Sequence, residues 1–308
     1  MKLLVTGGAG FIGSSVVDAL IEKGHDVVVV DDLSTGEKKN INPKAKFYKL
    51  DIGDEKKIEK VFKAEKPQAV FHLAAQIDVR KSVADPVGDA HKNIIAGLTL
   101  LESCRKHQVA KVIFSSTGGA IYGDTESRPT AENHPESPVS PYGIAKLTLE
   151  KYLYFYHYAY GLSYVVLRYA NVYGPRQNAR GEAGVVAIFC DRLLAGQPPV
   201  INGDGRQTRD YVYVSDVVEA NVLALAADKV GIYNVGTGVE TSVNDLALHL
   251  KNIFRFDKDF NYGPPKTGEQ QHSAIDFSKI SKDFGWKPKV ALIEGLMSTV
   301  NWFRAASK

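Results

Sequence analysis

The feature that most constrains this chain is Thr6-Gly7-Gly8-Ala9-Gly10-Phe11-Ile12-Gly13, set directly after the apolar run Leu3–Thr6 and before a stretch of helical composition. Glycine at Gly7, Gly10 and Gly13 permits a tight turn, close backbone approach to a pyrophosphate, and close helix–strand packing. The helix that follows turns its free N–H groups and positive dipole end toward the phosphates. A glycine triplet alone is a weak signal, but here the strand before it and the helix after it both fit a dinucleotide site. A tight turn without a ligand is the competing reading.

Further runs extend the pattern. Candidate strands are Leu3–Thr6, Val27–Asp31, Lys46–Lys49, Ala69–His72, Lys111–Ser115 and Ser163–Arg168; candidate helices are Gly13–Lys23, Lys56–Ala64, Val87–Lys106 and Pro141–Tyr160. Strands alternating with helices predict an α/β fold, a Rossmann-type doubly wound parallel sheet. Val27-Val28-Val29-Val30 suits a strand buried on both faces. Past Arg168 the alternation weakens, and Pro175, Pro198, Pro199, Pro264, Pro265 and Pro288 mark loops and short elements. This part reads as a smaller C-terminal substrate-binding lobe over the carboxyl edge of the sheet, where doubly wound folds bind ligands. The expected division is 1–169 plus about 211–239 for the dinucleotide-binding Rossmann domain, and about 170–210 plus 240–308 for the lobe.

Asp31 ends the second strand, 18 residues past Gly13. A carboxylate there accepts both ribose hydroxyls of the adenosine and repels a 2′-phosphate, which selects NAD over NADP. Asp32 competes for that role or caps the turn Leu33-Ser34-Thr35-Gly36, which is counted with the cofactor site. Asp51, after the third strand, is either an adenine contact or a helix cap.

Tyr142-Gly143-Ile144-Ala145-Lys146 puts a phenol and an ammonium four residues apart, on one face of a helix that Ser140-Pro141 is suited to start. The cation lowers the phenol's pKa, so the phenolate can take a hydroxyl proton while hydride leaves to NAD. An exposed helix pair is the reading for an isolated match. Ser115-Ser116-Thr117, at the end of a neighbouring strand, offers three hydroxyls to face the tyrosine.

Other classes are disfavoured. The net charge of +3 is too small to argue for nucleic acid, and the basic residues are interleaved with acids as on a solvated helix face. No run approaches the ~18 apolar residues of a membrane span, and Leu3-Leu4-Val5 lacks the layout of a signal peptide; a cytoplasmic location is expected, with no membrane partner. Cys104 and Cys190 are expected to be buried and reduced. Eight histidines show no ligand spacing, so no metal is expected, and His72 reads as a packing or hydrogen-bonding residue.

The motifs together, T-G-G-A-G-F-I-G (6–13), H-L-A-A-Q (72–76), S-S-T (115–117), Y-G-I-A-K (142–146), R-Y-A-N-V-Y-G-P (168–175) and R-D-Y-V-Y-V (209–214), resemble the extended short-chain dehydrogenase/reductase family over essentially the whole chain. Within it the chain is most similar to the UDP-glucose (UDP-galactose) 4-epimerases. The resemblance implies a UDP-sugar substrate and an NAD that stays bound while C4 is oxidised and then reduced on its other face. It makes Tyr142 the base, Lys146 its pKa partner and ribose ligand, and Thr117 the hydroxyl on O4. Thr117–Gly123 is one residue longer than the usual pattern, which keeps Ser116 open beside Thr117.

The resemblance also puts Phe11, Ile12, Asp31, Asp51, Ile52, Leu73, Ala74, Ala75, Gln76, Asn93 and Tyr169 around NAD. Asn171 and Arg209 fall at the diphosphate; an Arg209–Asp210 surface pair is the other reading. Pro199–Gly203, with Val200 and Asn202, falls at the uracil, and Gly184-Val185-Val186 on the nucleotide's other side. Lys266 and Glu269 stand where relatives carry Arg and Asp, and Ser273 where some carry a bulkier residue, which leaves room for an N-acetyl group. Tyr152, Tyr154, Phe155, Tyr156, Tyr158 and Tyr160 fit a core helix or a subunit interface; the resemblance implies a homodimer. A dehydratase needs an acid where this chain has Thr117-Gly118-Gly119, which argues against elimination. A UDP-glucuronate epimerase, using Arg80 or Lys81, and a non-catalytic NAD-binding sensor stay open.

Overall fold

A computed structural model describes residues 1–179, 184–265 and 270–307. The chain begins β1 (Lys2–Thr6), α1 (Phe11–Glu22), β2 (Asp26–Asp31), β3 (Lys46–Lys49), α2 (Glu55–Glu65) and β4 (Ala69–His72). It continues α3 (Val79–Ala84), α4 (Pro86–Ala90), α5 (Ala96–Lys106), β5 (Lys111–Thr117), α6 (Gly118–Ile121), α7 (Pro141–Tyr160) and β6 (Ser163–Tyr169). Then come β7 (Asn171–Tyr173), α8 (Val185–Leu194), β8 (Val200–Asn202), β9 (Thr208–Tyr213), α9 (Val214–Ala226) and β10 (Gly231–Val235). The last elements are β11 (Glu240–Ser242), α10 (Val243–Phe254), β12 (Asn261–Gly263), α11 (Ser278–Phe284) and α12 (Leu292–Ala306).

Among the described residues seven strands form one parallel sheet in the order β10-β6-β5-β4-β1-β2-β3. This is the doubly wound Rossmann order, and the direction of winding reverses between β1 and β4, opening a crevice at their carboxyl ends. Alternate strand residues enter opposite cores. Leu4, Val28, Val30, Val70, Val112 and Phe114 pack on α2, α5 and α7, while Leu3, Val5, Val27, Val29, Phe71 and Ile113 pack on α1 and α9. A third core joins α8, α10 and α12 around Tyr173, Ile201 and Tyr211.

Three features depart from the sequence reading. The seventh strand, β10, lies far beyond the six expected ones and joins β6 from Gly231 to Val235. The expected helix Val87–Lys106 is preceded by α3 and broken by a π-helical turn, His91–Ile95, between α4 and α5. Asp51 does not cap α2: Asp54 does, through Lys57 N. Helix α7 runs as expected, capped by the Ser140 hydroxyl on Gly143 N at 3.1 Å and ended by Gly161 at φ 71°. Cys104 and Cys190 are free and buried, and burial pushes the Cys190 thiol up to about 12. No helix among the described residues is long and apolar enough to cross a membrane.

At the amino edge of the sheet, Glu65 is 5% exposed and accepts from Lys46, Tyr48 and Lys2. Burial alone raises its carboxyl, but these donors outweigh that and hold it down at about 2. Its stabilisation is therefore present above the unfolded value and lost as pH falls through about 2. Glu65→Gln is expected to lower urea-unfolding stability at neutral pH by about 2 kcal/mol, an amount limited by the exposure of Lys46 and Lys2. The difference from wild type should shrink below about pH 4 and vanish near pH 2; a difference that is flat across this range would refute the assignment.

Candidate active site

The crevice is lined first by backbone. Gly7 has φ +72°, and a Cβ on it would stand 2.7 Å from Ala74 N; one on Gly13 would stand 2.1 Å from the Gly7 carbonyl oxygen. The β1–α1 turn is thus pressed against both its own helix and the loop after β4. Gly10 is the N-cap of α1 and offers no side-chain cap, so the helix opens on bare N–H groups. Phe11 and Ile12 are half-buried at its first turn.

Asp31 and Asp32 take different roles. Asp31 is 7% exposed, and its two oxygens accept from Ala9 N at 3.0 Å and Leu33 N at 2.8 Å. Burial pushes its carboxyl above the usual range, and the two amides pull it back. Asp32 caps the turn, accepting from Ser34 N and Ser34 Oγ. Past Thr35, Gly36 comes so near that a Cβ would meet Asp31 Oδ1 at 2.9 Å. Asp51 is exposed and turns back on Gly53 N, and Ile52 is sunk in the α2 core.

The loop after β4 is held from two sides. Thr6 Oγ1 lies 2.9 Å from His72 Nδ1 and accepts from Ala74 N at 3.2 Å. Burial, with Lys146 nearby, drives His72 down to about 3, so it is neutral and structural, stacked on Phe114. Leu73, Ala74 and Ala75 follow, half-buried. The Asn93 side chain pairs with both backbone groups of Gln76, each at 2.8 Å, and donates to Asp89. Asn93 sits inside the π-turn, a local distortion often found at functional sites. It holds the Gln76 backbone of this loop in place.

Lys146 is 4% exposed and donates to Ser115 O at 2.8 Å, with its Nζ 5.9 Å from the centre of the Tyr142 ring. Tyr142 is half-buried, and its amide donates to Ser82 Oγ of α3. Gly143 lets α7 close on the turn after β5, since a Cβ there would stand 2.5 Å from Ala120 O. Strand alternation separates the two hydroxyl candidates. Ser116 points to the α7 face and donates to buried Glu150. Thr117 ends β5, half-buried, and no side-chain cap bond engages it at α6. A Cβ on Gly119 would lie 4.0 Å from Thr117 Oγ1 and 3.5 Å from Asn171 Oδ1, so both groups border Gly119. Tyr169, expected near the cofactor, has its hydroxyl tied to Ser115 and Asn221 inside the α9 core.

The far end is formed by the C-terminal elements. Arg209 is half-buried on β9 and donates to Thr208 O. Asp210 is fully buried and accepts from Thr237, Gly238 and Ile275, which binds it inward. Gly184 caps α8, with Val185 half-buried and Val186 in the third core. Val200 and Asn202 lie on β8, and Asn202 borders a cavity of about 760 Å³. Gln207, Tyr262, Pro265 and Gln271 also line it; the sequence reading missed these, though Tyr262-Gly263-Pro264-Pro265 carries a turn signal. Ser273 is 7% exposed, two residues before Ile275, whose side chain meets Gly118. Lys266 and Glu269 lie outside the described residues. Arg80 and Lys81 are exposed on α3.

A glycine cradle at a bare helix end, an acid ending β2, and a Tyr–Lys pair bonded to the end of β5 define an NAD-dependent enzyme that acts on a hydroxyl group. The chain belongs to the NAD dependent epimerase/dehydratase family, whose model matches residues 3–236. The UDP-glucose 4-epimerase of Mycolicibacterium smegmatis is 44% identical over 314 residues, covering 100% of each chain. The crystal structure of Thermotoga maritima UDP-glucose 4-epimerase with UDP-glucose superposes with a TM-score of 0.99 at 53% identity, covering 100% of each. That of the Thermus thermophilus UDP-glucose 4-epimerase with NAD gives 0.95 at 44%, covering 99% of this chain and 100% of the other.

Asp31→Asn puts an amide N–H against one of two backbone donors. NAD retention is expected to fall roughly 10- to 100-fold, about 1.4–3 kcal/mol, read as cofactor content after gel filtration. Unchanged content would remove Asp31 from the site.

Proposed function

We infer that this protein is an NAD-dependent 4-epimerase of UDP-hexoses, interconverting UDP-glucose and UDP-galactose through a 4-keto sugar. The observation that carries it is the buried Lys146 on α7, its Nζ 5.9 Å from the centre of the Tyr142 ring and bonded to Ser115 O on β5, two residues before Thr117. NAD, when bound, supplies the hydride acceptor at C4 and returns the hydride. Tyr142 takes the O4 proton as the C4–H bond breaks, and gives it back to O4 when C4 is reduced on its opposite face. Lys146 supplies positive charge beside the phenol, and Thr117 supports O4 by hydrogen bonding. Because proton and hydride both return, the reaction is redox-neutral.

Gly7, Gly10, Phe11, Ile12, Gly13, Asp31 and the loop Leu33–Gly36 make up our cofactor set with Leu73–Gln76. Asp51 is included as an adenine contact, and Asn93 as the residue that sets the loop. Asn171, Arg209, Gly184–Val186, Val200 and Asn202 make up the nucleotide set. The domain division that suits this is 1–169 plus about 211–239, and about 170–210 plus 240–308. The small side chain of Ser273, beside the segment packed on Gly118, supports a second activity on UDP-N-acetyl sugars. A homodimer is proposed through α7, whose Leu149, Leu153 and Tyr156 face the core while Tyr154 and Tyr158 stand outward, 60% and 82% exposed. We place the enzyme in the cytoplasm.

Purified protein given UDP-galactose without added NAD is expected to form UDP-glucose to equilibrium. Tyr142→Phe should lose at least ~100-fold in kcat with NAD still bound. A wild type inert even with NAD added would reject the reading, and UDP-GlcNAc and UDP-glucuronate would be assayed next. A solution mass of one chain would reject the dimer.

A further inference from the structure

Beneath the Tyr142–Lys146 pair lies a buried cation that the site has not yet used. Arg168 on β6 is 0% exposed, and Glu150 on α7 is 1% exposed. Arg168 Nε donates to both Glu150 oxygens, at 3.0 and 3.2 Å, and Nη2 donates to Oε2 at 2.5 Å. Nη1 donates to Tyr122 Oη at 2.9 Å, and Nη2 donates also to Glu136 Oε1 at 3.0 Å. Tyr122 in turn donates to Asn234 on β10, and Ser116 donates to Glu150 Oε1.

Such a pair is a poor source of stability, because desolvation offsets the attraction and well-packed apolar residues do as well or better. What it has over an apolar pair is direction: an arginine fork and a carboxylate meet in one bidentate geometry. Glu150 lies one helical turn past Lys146 and two past Tyr142, on the same side of α7. Ser116 immediately precedes Thr117 and stands opposite Arg168 in the β5–β6 register. Lys146 is bonded to Ser115 O, and Glu150 to the Ser116 hydroxyl. Two consecutive residues of β5 therefore hold two consecutive turns of α7. Tyr122, ending the turn that follows Thr117, is held by the same guanidinium.

We propose that Arg168, Glu150 and Ser116 are positioning residues that set the separation of the Tyr142 phenol, Lys146 and the Thr117 hydroxyl. Only the kinetic arm of the test rests on the epimerase reading. On its own helix Tyr142 has Lys146 beside it and Glu150 a turn further, paired with Arg168; Ser82 of α3 meets its amide, and neutral His72 of β4 lies near Lys146.

The test compares wild type with Ser116→Ala and with Arg168→Met/Glu150→Met, which removes both charges together and leaves no lone buried ion. The first readout needs no substrate: the pH titration of the Tyr142 phenolate absorbance, taken as the difference from Tyr142→Phe in the same background. The second is kcat and KM for UDP-galactose. In the double variant the phenol's midpoint is expected to rise by about one pH unit, and kcat to fall about tenfold with KM within about twofold. Ser116→Ala should move the same way by less, and it decides the question alone if the double variant does not fold. Folded variants whose Tyr142 titrates as in wild type would overturn the proposal, whatever their kcat. A wild type inert on UDP-galactose, with the titration shift present, would reject the epimerase reading and leave the positioning role standing.

Discussion

The rest of the molecule is arranged around a backbone contact that admits no side chain. A Cβ on Gly13 would stand 2.1 Å from the Gly7 carbonyl oxygen, so α1 can leave β1 this closely only with glycine there. The ends of β2 and β4, with the loops that follow them, are knit to that turn. Ala74 N lies 2.7 Å from where a Cβ on Gly7 would be, Asp31 takes the Ala9 N–H, and Glu37 N donates to Ala9 O at 3.0 Å. The crevice is thus a rigid backbone surface before any side chain reaches into it, which is what close approach to a pyrophosphate demands.

Most charged groups sunk around this crevice are buried where hydrogen-bond partners meet them. Lys146 finds Ser115 O, Arg168 finds Glu150, Glu136 and Tyr122, and Asp210 gathers N–H donors from Thr237, Gly238 and Ile275. His72 follows the other course: burial takes its charge away, and it packs as an aromatic ring on Phe114. Asp210 has a further consequence. By holding Ile275 against the turn after Thr117, it ties the segment with Ser273 to the reacting end of the sheet.

What could be read from the sequence was local. Val27–Val30, apolar without a break, becomes a strand buried on both faces, and Ser140-Pro141 with Gly161 brackets α7 at both ends. What could not be read depends on partners distant in sequence. Gly231–Val235 is five residues with no period of its own, and it becomes a strand because β6 offers an open edge. Ser116 and Thr117 are chemically alike in sequence, and only the pairing of β5 with β6 and the presence of Glu150 send one hydroxyl inward and leave the other at the strand end. Glu150 itself reads as a helix-surface acid until Arg168, 18 residues later, is brought beneath it. The π-turn at His91–Ile95 has no sequence signature; it is visible only once Asn93 is seen paired with the Gln76 backbone.

Helix α7 joins these layers because its two halves are held by different forces. Its first turns are fixed by directional bonds, Ser140 on Gly143, Lys146 on Ser115 and Glu150 on Arg168. Its later turns are fixed mainly by apolar burial of Leu153 and Tyr156, with one bond from the Tyr156 hydroxyl to Glu102 at the rim. Apolar contact tolerates sliding and rotation that a bidentate ion pair does not, since burial is non-directional and the fork is not. A helix held by burial alone would keep Tyr142 in the crevice but leave its distance to Thr117 loosely set. On the proposed reading the polar half supplies that fixed distance, bonded as it is to the ends of β5 and β6.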